Sequence, residues 1–323
     1  MSDPAVRRSR RDLDGLLLLD KPSGITSNAA LQRVKWLFQA RKAGHTGSLD
    51  PLASGMLPVC FGEATKFAGY LLDADKTYRV QARFGIRTDT GDAEGRPVAS
   101  HAREPVLAEE LEQSVAALRG PIQQIPPMYS ALKQQGQRLY VLARAGQEVP
   151  REPRPVTIHE FAVETYDPLT PVLRVRCSKG TYVRTLIEDL AAHLGTLAHV
   201  IALRRLAVEP FGGQTMLSIE QIETAAGPGA QPSLAALDAL LRPLEAALPH
   251  WPAVELDASA ALRLSRGGPV PPPPGHLPGL VRLYAPGHKF LGVGELKPDG
   301  LVAPRRLVAQ VPSSFPAESI SGL

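Results

Sequence analysis

One carboxylate stands apart in this chain by its setting. Asp50 lies within Gly44-His45-Thr46-Gly47-Ser48-Leu49-Asp50-Pro51-Leu52-Ala53-Ser54-Gly55-Met56-Leu57-Pro58, five residues after His45. Three glycines and two prolines in 15 residues specify a loop of set shape rather than a flexible one. A carboxylate so placed has two readings: it caps a short helix begun by Pro51, or it serves as a nucleophile or charge stabiliser. His45 reads as a hydrogen-bonded surface histidine or as a partner in that chemistry. Nucleotide-phosphate binding by this loop is a poor reading, because no Gly-Lys-Ser/Thr ends it and no Gly-x-Gly-x-x-Gly occurs. No paired-histidine spacing suggests a metal, and Cys60 and Cys177 form no Cys-x-x-Cys pair. Both thiols read as small core residues of a reduced, cytoplasmic protein.

The elements that must hold these residues follow from periodicity. Leu16 to Leu19 reads as a buried strand ending at the turn Lys21-Pro22-Ser23-Gly24. A helix capped by Thr26 or Ser27 runs to about Ala40. Thr77 to Ile86 alternates as a strand with Tyr78, Val80, Ala82 and Phe84 on one side, and Val156–Val163, Val172–Ser178 and His199–Val208 are further strands. Pro105–Leu118 is helical in pattern. Thr181 to Leu194 carries a helical apolar stripe that puts Arg184 one turn from Glu188, so an ion pair on a helix surface is its plainest reading. An Ala-rich helical stretch over Pro232–Leu248 breaks at Pro243. A short helix near Ala258–Leu264 and strands at Leu280–Tyr284, Lys289–Leu296 and Leu307–Val311 then make a small β-rich unit. The irregular order of helices and strands predicts α+β rather than a doubly wound sheet.

The 323 residues carry a net charge of +4, too little to announce a nucleic-acid binder. The charge is uneven: residues 1–215 hold 28 basic and 23 acidic side chains, residues 216–323 hold 8 and 9. Lys21–Ser48 and Arg174–Thr185 contain no acid at all, and two such stretches flanking polar motifs point to a polyanionic partner. The leucine run is far too short to span a membrane. Arg7, Arg8, Arg10 and Arg11 lack a following apolar segment, so residues 1–11 read as a disordered basic leader. The expected layout is that leader, a large domain over 12–250, a small one over 251–312 and a disordered tail over 313–323.

The Asp50 loop, with Leu-Asp-Lys-Pro-Ser-Gly at 19–24, resembles the bacterial TruB-type tRNA pseudouridine synthase family. The likeness continues through Gly62-Glu63-Ala64-Thr65-Lys66-Phe67, Asp75-Lys76-Thr77-Tyr78-Arg79-Val80 and Arg87-Thr88-Asp89-Thr90. It extends over Ile125-Pro126-Pro127-Met128-Tyr129-Ser130-Ala131-Leu132-Lys133, Cys177-Ser178-Lys179-Gly180-Thr181-Tyr182-Val183-Arg184 and His199-Val200-Ile201-Ala202-Leu203-Arg204-Arg205-Leu206. These motifs keep the family's order over roughly residues 15–210. The tail, with Gly292-Val293-Gly294-Glu295 and Val302–Val308, resembles the family's PUA-like RNA-binding module, less distinctively.

The resemblance implies isomerisation of a uridine at position 55 in the tRNA T-loop, without a cofactor or metal. It implies a catalytic domain with a mixed, mainly antiparallel sheet and flanking helices. It gives Asp50 the role of nucleophile, with attack at carbon 6 of the base, attack at carbon 1′ of the ribose and removal of the carbon-2′ proton all left open. Arg184 matches the arginine that keeps that carboxylate ionised. Tyr78 matches the aromatic residue that stacks on the uracil and is placed to take the carbon-5 proton. Tyr182 and Leu203 match pocket positions, and His45 matches the residue that supports RNA as the base flips out. Lys21 and Lys66 fit cationic roles near the substrate, and Lys133, Arg138 and Arg144 fit phosphate contacts.

Ala202 stands where family members can carry tyrosine, Gly91 where some carry serine, and the proline-rich run 269–274 alters a loop of the tail. These departures leave the matched catalytic set intact. Two rivals are a guide-RNA-dependent pseudouridine synthase and a non-catalytic tRNA chaperone. The form Gly-His-Thr-Gly-Ser-Leu-Asp-Pro favours a stand-alone enzyme, expected as a monomer without guide RNA, and leaves room for an accompanying tRNA-folding chaperone activity.

Overall fold

The structure is a computed structural model describing residues 10–102, 105–130, 132–134, 136–228, 233–272, 275 and 277–309. The leader residues 1–9, the tail 313–323, Pro273 and Pro274 lie outside the described residues. Among those described, no helix is long and apolar enough to cross a membrane.

A mixed sheet forms the body of the molecule. Its strands run in the order Leu217–Ser218, Gly15–Lys21, Ser54–Phe61, Ala198–Val208, Lys76–Phe84, Val172–Cys177, Arg154–Thr165 and Gly120–Gln124, with Ala43–His45 added beside Ser54–Phe61. Only the Gly15–Lys21/Leu217–Ser218 and Ala198–Val208/Ser54–Phe61 pairings are parallel. The α+β class and the mainly antiparallel sheet are thus present. The leucine run forms a strand because both its faces are covered, which suits a continuous apolar run rather than an alternating one. Leu17 and Leu19 pack under the helices Ser27–Leu37 and Ile219–Ala226, while Leu16 and Leu18 pack on the opposite face with Phe67, Val293 and Val308. Thr26 caps the first of these helices, its hydroxyl accepting from the Ala29 amide at 3.1 Å.

The helix Val183–His193 buries its apolar stripe, with Leu186, Ile187 and Leu190, against Val80, Ala82 and Leu173 of the sheet. The periodic segments fall near their expected places. Among the segments that differ are three strands of the two larger sheets. Ser54–Phe61 is a strand where the glycines and prolines suggested loop throughout, and Gly120–Gln124 adds an unforeseen edge strand. The last described strand is Val302–Leu307, and of the expected Leu307–Val311 the end, residues 310 and 311, lies outside the described residues. Arg11, read as the end of the leader, is anchored instead: its guanidinium forms an ion pair with Asp238 and donates to the Phe38 carbonyl at 3.0 Å.

A separate four-stranded sheet, Ala253–Glu255, Gly279–Ala285, Lys289–Leu296 and Val302–Leu307, has its own interior around Val254, Leu264, Val281 and Leu283. It also seals the larger body. Phe290 lies tilted against Phe67 with ring centroids 5.6 Å apart, and Tyr70 meets Trp251 edge-on at 4.6 Å.

Candidate active site

The loop carrying Asp50 joins Ala43–His45 to Ser54–Phe61 and is pinned from several sides. The Leu49 amide donates to Ser27 Oγ at 2.7 Å, and the Ser27 hydroxyl lies 3.0 Å from the Leu49 carbonyl. The Gly24 amide donates to the Pro51 carbonyl, and the Ala53 amide to the Asp50 carbonyl. No helix starts at Pro51, so Asp50 caps nothing and its side chain turns into a cleft.

There it meets Arg184, whose Nε lies 2.9 Å from Asp50 Oδ2 and 3.8 Å from Asp92 Oδ2. The same guanidinium donates to the Thr90 carbonyl at 2.5 Å and the Tyr129 carbonyl at 2.8 Å. Arg184 is buried in the first turn of its helix and does not pair with Glu188. Asp92, also buried, accepts from the Thr90 hydroxyl at 2.6 Å and the Glu94 amide at 3.1 Å. Burial pushes the Asp50 carboxyl above the usual carboxylate range. Arg184 is the strongest opposing influence; Asp92 adds to the rise and Lys21 opposes it. Arg184 therefore limits the cost of ionising Asp50 without abolishing it.

Asp50 opens onto a cavity of about 320 Å³ that is also lined by Tyr78, Tyr129, Tyr182, Leu203 and Arg205. That is the lower end of cavities that enclose small ligands. Tyr78 stands on Lys76–Phe84 and Leu203 on Ala198–Val208, adjacent strands that bring together residues far apart in the chain. Burial raises the Tyr78 phenol above its ordinary pKa, so its resting form is protonated. Tyr182 precedes the Arg184 helix; its amide donates to Gln124 Oε1 at 3.0 Å, tying it to the edge strand.

A wider groove of about 780 Å³ shares Asp50, Tyr129 and Arg184 with this cavity and extends to His45, Lys133, Tyr140 and Arg144. Arg138 and Arg144 approach the Tyr140 ring at 6.0 and 5.7 Å. Burial, helped by the Arg205 charge, lowers the His45 pKa, which favours a neutral ring.

The chain matches the models of three domains: the TruB family pseudouridylate synthase N-terminal domain over residues 35–183, the tRNA pseudouridylate synthase B C-terminal domain over 184–249, and the pseudouridine synthase II TruB C-terminal domain over 252–308. It is 50% identical over 305 residues to tRNA pseudouridine synthase B of Stutzerimonas stutzeri, covering 94% of this chain and 98% of that one. The chain belongs to the TruB family of pseudouridylate synthases. It is therefore an isomerase. The Escherichia coli tRNA pseudouridine synthase B is 49% identical over 319 residues, 97% of this chain and all of that one. Among solved structures, a chain of a Cbf5-Nop10-Gar1 complex superposes with a TM-score of 0.66 at 25% identity, covering 87% of this chain and 78% of that one. A chain of an H/ACA ribonucleoprotein bound to a substrate RNA containing 2′-deoxyuridine shares the fold at 22% identity, with a TM-score of 0.70 and coverage of 94% and 87%.

Within this TruB-family site, two sequence-predicted cations stand apart. The Lys21 ammonium is wholly enclosed, donating to the carbonyls of Pro22 at 2.8 Å and Ile25 at 2.6 Å. Burial lowers its pKa to about 8. It secures the turn beneath Asp50 rather than facing the cavity. Lys66 lies at the joint with the small sheet, its Nζ 2.6 Å from Glu63 and donating to the Leu307 carbonyl at 2.9 Å. The second acid-free stretch is neutralised across the sheet: Arg174 pairs with Glu160, Arg176 with Asp75 and Lys179 with Asp73. Sequence reasoning missed Asp92, Tyr129, Tyr140 and Arg205 as lining residues, although all but Asp92 and Tyr140 sit inside the motifs that carried the resemblance.

Proposed function

We propose that this pseudouridine synthase acts on tRNA, converting the uridine at position 55 of the T-loop, with Asp50 as the carboxylate that acts on the base or its ribose. The observation that carries the assignment is the 2.9 Å Asp50–Arg184 pair at the wall of a cavity that Tyr78 also lines. In this reading Lys133, Arg138 and Arg144 hold backbone phosphates along the groove. His45 fills space left as the target base leaves its stack, offsetting part of an unstacking cost of a few kcal/mol. Tyr78 stacks on the flipped uracil, and Tyr182 and Leu203 close the pocket around it.

Asp50 then attacks carbon 6 or carbon 1′, or removes the carbon-2′ proton, so that the bond to nitrogen 1 breaks. The base turns and rejoins through carbon 5. The carbon-5 proton is the last to leave, and Tyr78 takes it as the phenolate, its own proton having first passed to water. The enzyme acts in the cytoplasm as a monomer, without guide RNA. The basic groove holds RNA independently of the chemistry at Asp50, which supports an accompanying tRNA-folding activity.

The test is release of tritium from carbon-5-labelled uridine in a T-arm transcript without added cofactor. Asp50→Ala should abolish release, a loss of at least about 1000-fold for a covalent nucleophile, while tRNA binding survives. Full activity in Asp50→Ala would overturn the mechanism, and no release by the wild type from any tRNA would overturn the substrate.

A further inference from the structure

Arg205 occupies the central strand Ala198–Val208, opposite Gly55 on one side and Tyr78 on the other. It is among the largest fully buried side chains, at 1% exposure. Its Nε donates to the Met56 carbonyl at 2.7 Å and its Nη2 to the Gly47 carbonyl at 2.9 Å. These carbonyls lie on either side of Asp50 in the chain, so one planar guanidinium closes the loop that carries the carboxylate. A fork of donors suits two diverging acceptors better than a single ammonium does.

Both bonds go to neutral backbone, and no ion pair of Arg205 occurs among the described residues. An enclosed cation without a carboxylate is costly. A loop staple alone needs no charge, so the charge calls for a second reason, and the cavity wall that Arg205 shares with Tyr78 and Asp50 supplies it.

We propose that Arg205 is a positioning residue of this active site, closing the Asp50 loop through its two carbonyl bonds and presenting its charge to the Tyr78 phenol. Arg205 favours the ionised phenol, whereas burial, the Cys177 thiol on the neighbouring strand and Asp50 on the loop disfavour it. The same charge disfavours the protonated forms of His45, Lys21 and Lys76. Arg205 thus holds one reacting group in place and eases the ionisation of the other.

This inference rests on the reading that Asp50 and Tyr78 act on the uridine, so the experiment measures the free enzyme and turnover separately. Tyr78 ionisation is followed by ultraviolet difference titration against Tyr78→Phe, without RNA, in wild type, Arg205→Lys and Arg205→Met. Turnover on a tRNA transcript is measured across pH for the same proteins. In Arg205→Met the Tyr78 titration should move to higher pH and kcat should fall about 100-fold, with KM for tRNA within about twofold of wild type. Arg205→Lys, which keeps the charge and loses the fork, should titrate close to wild type yet still lose kcat. Wild-type kcat in folded Arg205→Lys would overturn the loop-closing role, even if Arg205→Met failed to fold. An unmoved Tyr78 titration in Arg205→Met, with equal kcat losses in both variants that track lower melting temperatures, would reduce Arg205 to a structural residue. A shifted titration with wild-type turnover in Asp50→Ala would instead indict the reading on which the inference rests.

Discussion

Asp50 is asked to be ionised in a place that opposes ionisation. Burial and the nearby Asp92 raise its pKa, and Arg184 is the largest influence pulling it back. On the proposed role of Asp50 the sign follows directly: activity should climb as pH rises through the raised pKa, because that role requires the carboxylate form. Removing Arg184 removes an opposing influence, so in Arg184→Met the acid limb of the pH–rate profile should shift to higher pH. Turnover at neutral pH should fall about 100-fold or more, the scale of losing one preorganised electrostatic partner. Arg184→Lys should move the limb less while losing the bonds to the Thr90 and Tyr129 carbonyls. An unchanged acid limb in Arg184→Met would show that Arg184 does not set the ionisation of Asp50.

At the scale of elements, the site depends on how closely the strand carrying Arg205 can approach the one that follows Asp50. Gly55 makes the approach feasible: it sits at φ +100°, and a Cβ there would lie 2.2 Å from the Arg205 carbonyl oxygen. Gly55→Ala should destabilise by about 3 kcal/mol or more, at the upper end for single substitutions. Gly195→Ala, also at positive φ but with open space around it, should cost only about 1 kcal/mol. Thermal or denaturant unfolding compares them, and equal losses would show that the approach at Gly55 is not the constraint. This close packing also explains what was legible in the chain. Periodic segments such as Thr181–Leu194 announced themselves, whereas Ser54–Phe61 carries Gly55 and Pro58 and reads as loop until its neighbours are known. Asp50, Tyr78 and Arg184 were legible through motifs. The partnership of Arg184 with Asp92, and of Arg205 with the Gly47 and Met56 carbonyls, is a product of sheet register and loop closure, which local spacing does not encode.

For the whole molecule, the net charge of +4 conceals two kinds of cation. Those of Arg174–Thr185 are paired or buried, while Lys133, Arg138 and Arg144 face the groove and form no ion pair among the described residues. Substituting all three groove cations by alanine should weaken tRNA binding and make the log–log salt dependence shallower by about two. Arg176→Ala, which removes a cation already paired with Asp75, should leave that slope unchanged. Binding titrations at several salt concentrations distinguish the two, and an unaltered slope in the triple variant would move the RNA track elsewhere. The central strand has a consequence for the order in which the molecule comes into being. Ser54–Phe61, which follows Asp50, and Lys76–Phe84, which carries Tyr78, are near neighbours along the chain, yet Ala198–Val208 lies between them in the sheet. At ribosomal rates of ~5–20 residues per second, roughly ten seconds of synthesis separate the second of these strands from the one that must enter between them. Until it does, neither Arg205 nor the cavity exists. A nascent chain therefore carries Asp50 and Tyr78 well before it carries the cavity that they line.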